Sequence, residues 1–241
     1  MMKILVGVCE ASEWDEARVC AVVREGKLED FCAVALEQAL RIKEQLGEGQ
    51  ILAFAMGLSP EALLRQALAL GADRALGMKV ATACEPLAVA KQIASLAQQE
   101  QVDLVLLGKQ TADWQGGAMV GMVAGMLDWP QIQPVSGLQW QQGQLHLQCY
   151  GEQYQLHSVT QPPVVLGLEL GLAEPRFASL PAILRSRRQE LEWLAPPDEP
   201  RATQAYLSLE PQNASRKAQQ LHSVDELVEL LNHKVEINWT R

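Results

Sequence analysis

Cysteine is scarce in this 241-residue chain: Cys9, Cys20, Cys32, Cys84 and Cys149 form no C-x-x-C pair and are too sparse for a disulfide framework. Reduced thiols in a cytosol-like compartment follow. The four histidines, His146, His157, His222 and His233, lie far apart and share no ligand spacing with the cysteines, so no metal site is expected. There is no G-x-S-x-G elbow, no cysteine beside a histidine motif and no carboxylate pair between strands, which excludes the common nucleophilic and hydrolytic sites. Neither G-x-G-x-x-G nor G-x-x-x-x-G-K-[ST] occurs, so no dinucleotide fingerprint or Walker-type loop is present. Positive charge is also in deficit. The 20 Lys and Arg against 29 Asp and Glu leave a net charge of −9, which argues against nucleic acid or an anionic membrane as the main partner. No apolar run reaches the roughly 18 residues of a membrane span. Met1 to Val8 reads as a strand and not as a leader, so a bacterial-type cytoplasmic location is expected.

What is present is alternation of strands and helices. KILVGV (3–8) is a short β-prone run, and Ala35, Ala39, Ile42 and Leu46 mark one helix face. A strand at 50–56 leads to Ser59-Pro60-Glu61, where a hydroxyl cap, a proline and an acid predict a helix start, and Gly71 predicts its end. The unit repeats with a strand over 74–80, a helix opened by Pro86 and an apolar strand over 102–107. A Gly- and Ala-rich helix is expected over 116–127. Such an order implies a Rossmann-like α/β fold, a parallel sheet covered on both faces. Leu138, Trp140, Leu145, Leu147 and Cys149 alternate around Gln141-Gln142-Gly143-Gln144, which predicts a β-hairpin insertion, and a buried strand is expected over 164–170. From Arg185 the chain turns charged and proline-rich until Ser223-Val224-Asp225-Glu226 opens a capping-box helix. The expected domains are 1–184, an α/β unit, and 185–241, an extended arm ending in that helix.

Ligands of such sheets bind at the carboxyl edge of the strands. Gly7-Val8-Cys9 and the segment 108–121 would lie there, and a helix opening near Gly116-Gly117 offers N–H groups to a phosphate. The alternative is that these glycines only relieve crowding between helix and sheet. A stand-alone adenine-nucleotide-binding protein of related fold is one functional reading.

Four separated segments carry a second reading. LRQALALGADRAL (64–76), DLVLLGKQTAD (103–113), LDWPQ (127–131) and EPRFASLP (174–181), together with FCAVALEQALRIKE (31–44) and the terminal SVDELVELL, resemble the electron-transfer flavoprotein β subunit family, in family order and across nearly the whole chain. The resemblance implies a heterodimer with an α subunit that holds most of an FAD, and a β subunit that closes over the flavin and wraps an arm around its partner. It implies an electron carrier and not an enzyme in its own right, linking acyl-CoA-type dehydrogenases of fatty acid oxidation to a quinone oxidoreductase. Trp14 and Phe31 match family aromatics that face the flavin. EPRFASLP resembles the family's recognition loop, here 174–188, in which Leu180 takes the place of a docking leucine and Arg185, Arg187 and Arg188 stand where the family has lysines.

The family's β subunit also holds AMP in a loop of the form D-D-D-x-N-Q-T-G-Q, whereas this chain reads Asp113-Trp114-Gln115-Gly116-Gly117-Ala118-Met119-Val120-Gly121. The family's Asn-Pro before the helix is Glu29-Asp30 here, and the stretch from Trp14 to Phe31 is shorter. The positions left for an AMP site are Gly7, Cys32, Met56, Asp113, Gly116, Gly117, Val120 and Gly121. One FAD with AMP, one FAD alone, and two FADs are the alternatives in that order, since EPRFASLP resembles the non-bifurcating branch.

Overall fold

A computed structural model describes the backbone of residues 1–15, 20–81, 85–111, 116–196 and 221–234, with the side chains of all of these except 12–25, 233 and 234. Seven strands form the central sheet: β1 (Lys3–Gly7), β4 (Gln50–Gly57), β5 (Arg74–Lys79), β6 (Leu104–Gly108), β7 (Gln131–Val135), β11 (Val164–Leu168) and β12 (Glu192–Leu194). Their order is β12-β5-β4-β1-β6-β11-β7, and all six pairings are parallel. The expected α/β architecture is present.

Side-chain alternation splits the core in two. Ile4 and Val6 point to the face covered by α1 (Asp30–Leu46) and α2 (Glu61–Leu70), whereas Leu5 points to the face of α3 (Pro86–Gln99) and α4 (Met119–Leu127). Ile51 and Ala53 join the first core, and Leu52 and Phe54 the second. With both faces covered, a strand such as Leu104-Val105-Leu106 has no place for a polar residue. Burying each Leu or Ile of this kind stabilises the fold by about 1.5–3 kcal/mol.

Local signals fix where the elements start and stop, with two corrections. Helix α2 begins at Glu61 with Pro60, not Ser59, in the cap position, and no side-chain cap bond forms. Helix α4 begins at Met119 and not at Gly116, because Gly117 adopts φ 59° and cannot continue a right-handed helix. The expected hairpin is β8 (Gly137–Gln141) and β9 (Gln144–Tyr150), joined through Gln142 and Gly143 at positive φ, and β10 (Gln155–Thr160) adds a third antiparallel strand. A further hairpin, β2 (Glu10–Asp15) with β3 (Cys20–Leu28), fills what the sequence presents as a plain connection between β1 and α1.

The segment after 174 is more ordered than its composition suggests. A short helix, α5 (Leu180–Ser186), is capped by the Ser179 hydroxyl, which accepts from Ala182 N at 3.3 Å. Strand β12 then pairs with β5, fastened by Arg74, whose guanidinium donates to Glu192 at 2.7 and 2.5 Å and to Glu100 at 2.6 and 2.9 Å. The sheet therefore extends beyond residue 184. The chain divides into two compact units, Met1–Leu207 and Ser208–Arg241, and the described part of the second, 221–234, contains helix α6 (Val224–Lys234). Ser223 Oγ accepts from Glu226 N at 3.2 Å, as a capping box requires. No helix among the described residues is long and apolar enough to cross a membrane.

Close approach of α1 to β6 sets the geometry of the edge described below. A Cβ added at Gly108 would stand 2.5 Å from Phe31 Cβ. The Gly108→Ala variant should therefore lose about 1–3 kcal/mol through overpacking, measured as a lower urea midpoint; an unchanged midpoint would show that α1 is free to shift.

Candidate functional site

The strand order reverses between β1 and β6, since the chain runs outward from β1 through β4 and β5 before crossing back to β6. At such a reversal the loops leaving the carboxyl ends diverge and open a crevice. Gly7 ends β1 and Gly108 ends β6. Around them lie the first turn of α1, Lys109 and the approach to α4, where a Cβ at Gly117 would lie 3.4 Å from Lys109 O. Lys109 Nζ is paired with Glu169 Oε2 at 2.5 Å, which fixes the ends of β6 and β11 together.

The sequence-predicted residues divide here into packing positions and open ones. Gly7 is a packing position, because a Cβ would meet Leu107 Cδ2 at 2.6 Å. Phe31 is 5% exposed and seated over Gly108, and Val120 is fully buried in the second core. Met56 is half-buried at the end of β4. Gly116 is exposed, and Gly121 faces open space. Asp113 and the Trp14 side chain lie outside the described residues.

The two helix starts at this edge differ. Glu29 caps α1: its Oε2 accepts from Cys32 N at 3.1 Å, and the residue is only 2% exposed. The amide of Cys32, one of the positions the resemblance leaves for an AMP site, is thus held by a buried carboxylate, which repels an anion. Helix α4 has no side-chain cap at Ala118. The side-chain cap at the start of α1 thus has no counterpart at the start of α4.

Sequence spacing missed a cluster beside that cap. Cys9, one residue past Val8, places its Sγ 3.5 Å from Cys32 Sγ. Glu29 N donates to Cys9 O at 3.0 Å, which ties the two segments together. The hydrogen bond with Cys9, burial and the nearby charge of Glu29 push the Cys32 thiol well above its usual range. The i, i+3 relation of Glu29 and Cys32 was a readable signal, but Cys9 reaches them only through the fold.

A second candidate surface is the loop 174–188. Phe177 is 98% exposed, Leu180 69% and Leu184 51%, with Arg185, Arg187 and Arg188 exposed beside them. Leu180 is no core residue. Arg176 anchors this loop to α1: Nε donates to Glu37 Oε2 at 2.8 Å, its backbone N to the same oxygen at 3.2 Å, and Nη1 to Glu44 Oε1 at 2.7 Å. Arg41 adds a bond to Glu37 Oε1 at 2.9 Å and reaches Glu174 O at 3.3 Å. At the far end, Arg65 Nη1 donates to Ser186 O at 2.8 Å. Burial alone would raise the Glu37 carboxyl, but the bonds from Arg176 and Arg41 and the Arg176 charge outweigh it and hold the group below its ordinary value. Hydrogen bonding from Arg176 likewise lowers Glu44.

Because the folded Glu37 titrates below the unfolded one, its stabilisation is complete above the ordinary carboxylate value of about 4.3 and is lost as pH falls below it. Glu37→Gln should be less stable than wild type at pH 7 and should approach it near pH 3, read from melting temperatures across that range; a constant difference contradicts the clamp. Arg176→Met should cost about 1–3 kcal/mol at neutral pH and raise protease cleavage within 174–188.

Comparisons with known proteins show the family. A family model described as "Electron transfer flavoprotein domain" matches residues 18–199. The chain is similar to the human "Electron transfer flavoprotein subunit beta", 35% identical over 185 residues, covering 73% of this chain and 72% of that protein. It is similar to the same subunit from Bos taurus, 35% identical over 179 residues, covering 71% and 70%. The rice "Electron transfer flavoprotein subunit beta, mitochondrial" aligns over 255 residues at 31% identity, covering 98% of this chain and 100% of that protein. With its parallel sheet and family-ordered segments, the chain belongs to the electron transfer flavoprotein family, as a β subunit.

Proposed function

We propose that this electron-transfer subunit works in a heterodimer whose α partner holds most of an FAD, and that the pair carries electrons from acyl-CoA-type dehydrogenases of fatty acid oxidation to a quinone oxidoreductase. The observation that carries the reading is the braced loop 174–188, which holds Phe177, Leu180 and Leu184 out in water beside Arg185, Arg187 and Arg188. An apolar anchor on a pre-ordered loop loses little entropy on docking, and neighbouring cations speed encounter with an acidic partner. A short-lived contact suits a carrier.

The flavin supplies the redox chemistry when bound. This chain's part is to shape the cover at the carboxyl edge, where Phe31 and Gly108 set the distance between α1 and β6. Glu29 at the start of α1 does not fit a phosphate, which favours one FAD per heterodimer and no stoichiometric AMP over the AMP-bearing alternative. It also counts against a stand-alone nucleotide-binding protein. The chain beyond β12 is proposed to lie along the α partner: within α6, Val224, Leu227, Val228 and Leu231 form an exposed stripe at i, i+3, i+4 and i+7, the pattern of a helix that needs a partner groove.

Leu180→Ala should slow electron uptake from the dehydrogenase by about 30-fold, the effect of losing an interface anchor worth about 2 kcal/mol, while flavin content and melting temperature stay unchanged. Stopped-flow reduction of the coexpressed heterodimer measures it, and a wild-type rate sinks the docking role. Denaturing the same complex and counting released nucleotides should give one FAD and no AMP; stoichiometric AMP would overturn the reading of the α1 end.

A further inference from the structure

We propose that Cys9, Glu29 and Cys32 form a binding site for a thiophilic divalent cation of the zinc type. Their ligand atoms, the two Sγ atoms and a carboxylate oxygen of Glu29, all lie within 4.8 Å of one another. Ligands placed on one tetrahedral ion are separated by distances of this order. The two sulfurs are 3.5 Å apart. A cation about 2.3 Å from each would subtend about 100° at the metal, so a small separation of the sulfurs reaches tetrahedral geometry.

The supports of the three ligands are stiff. Glu29 and Cys32 sit at the cap and third position of α1 and are buried, the former tied to the latter's amide at 3.1 Å. Cys9 follows β1 and is held to Glu29 by the 3.0 Å backbone bond. It is the half-buried member of the three, which gives an ion a way in. Site precision of this kind comes from helix and strand ends and not from loose loops.

The donor set names the class of ion. Two sulfurs and one oxygen reject Mg²⁺ and Ca²⁺, which take oxygen ligands, and suit Zn²⁺ or Co²⁺. On binding, each thiol gives its proton to solvent as its sulfur takes the cation, so one M²⁺ and two thiols yield a bis-thiolate complex and two protons. The complex carries one net negative charge from two thiolates, one carboxylate and the ion, the same charge that Glu29 alone brings to this end of α1. Two sulfurs at this distance would also suit a disulfide, but a buried carboxylate in the same cluster has no part in one. The proposal rests on this chain's own atoms and does not depend on the heterodimer or on its flavin.

The test uses the full chain, reduced, stripped of metal and kept anaerobic, with Co²⁺ as the probe. One Co²⁺ per chain should produce a near-ultraviolet thiolate charge-transfer band and tetrahedral visible bands, and one equivalent of Zn²⁺ should displace it. Cys9→Ser and Cys32→Ser should each weaken binding by more than about 100-fold, beyond the loss of an outer-shell group. Glu29→Gln keeps a cap acceptor and should lower affinity while preserving the charge-transfer band. Absence of the band in wild type, a metal that ignores both cysteine substitutions, or a Cys9–Cys32 disulfide in aerated protein whose reduced form takes up no Co²⁺ would each overturn the site.

Discussion

Strands β1, β4, β6 and β11 have no solvent face, and most of the architecture follows from that. Their backbones can be satisfied only by neighbours in the sheet, and their side chains only by helices on both sides. Parallel pairing then needs crossover connections, which send every strand's carboxyl end to the same edge. Where the order turns at β1 and β6 the loops separate. The glycines of this edge, the α1 cap and the cysteine cluster are neighbours because of this constraint, although they come from residues as distant as 7, 29 and 117.

The family's chemistry asks the protein for placement more than for catalysis. Electrostatics provides much of it. Arg176 reaches Glu37 and Glu44, Arg74 bridges Glu100 and Glu192, and Arg65 holds the end of α5. Each arginine joins a late segment of the chain to an early one. A planar guanidinium with several fixed donors suits this role better than a lysine, because it can bind two carboxylates in set directions. The loop 174–188 thereby keeps apolar side chains outside without collapsing onto its own core.

How much was readable depended on the range of the signal. Strand–helix alternation, the Pro86 start and the 141–144 turn rest on local periodicity and turn chemistry, and all appear in the fold. The β2–β3 hairpin escaped because its strands are charged and Glu16-Ala17-Arg18-Val19 lacks a turn signature. Strand β12 is three residues long, too short for periodicity, and exists through β5 and Arg74. Helix α5 did leave a trace in Ser179-Leu180-Pro181, a hydroxyl cap followed by proline. At the candidate site, the sequence leaves two readings of the glycines open, a phosphate cradle or relief of crowding. Gly7 and Gly108 are small because Leu107 and Phe31 come close, a fact about packing that no spacing reveals.

The sequence by itself determined the fold class and the family, since both are written in contiguous motifs whose meaning survives without coordinates. Only the tertiary structure decided that Glu29 fills the first turn of α1, that Phe31 is covered, that Leu180 stands in solvent on a loop clamped by Arg176, and that Cys9 meets Cys32. The reason is that helix caps, ion pairs and ligand clusters depend on distances between atoms far apart in the chain, and those distances are fixed by how the two buried cores close on the sheet.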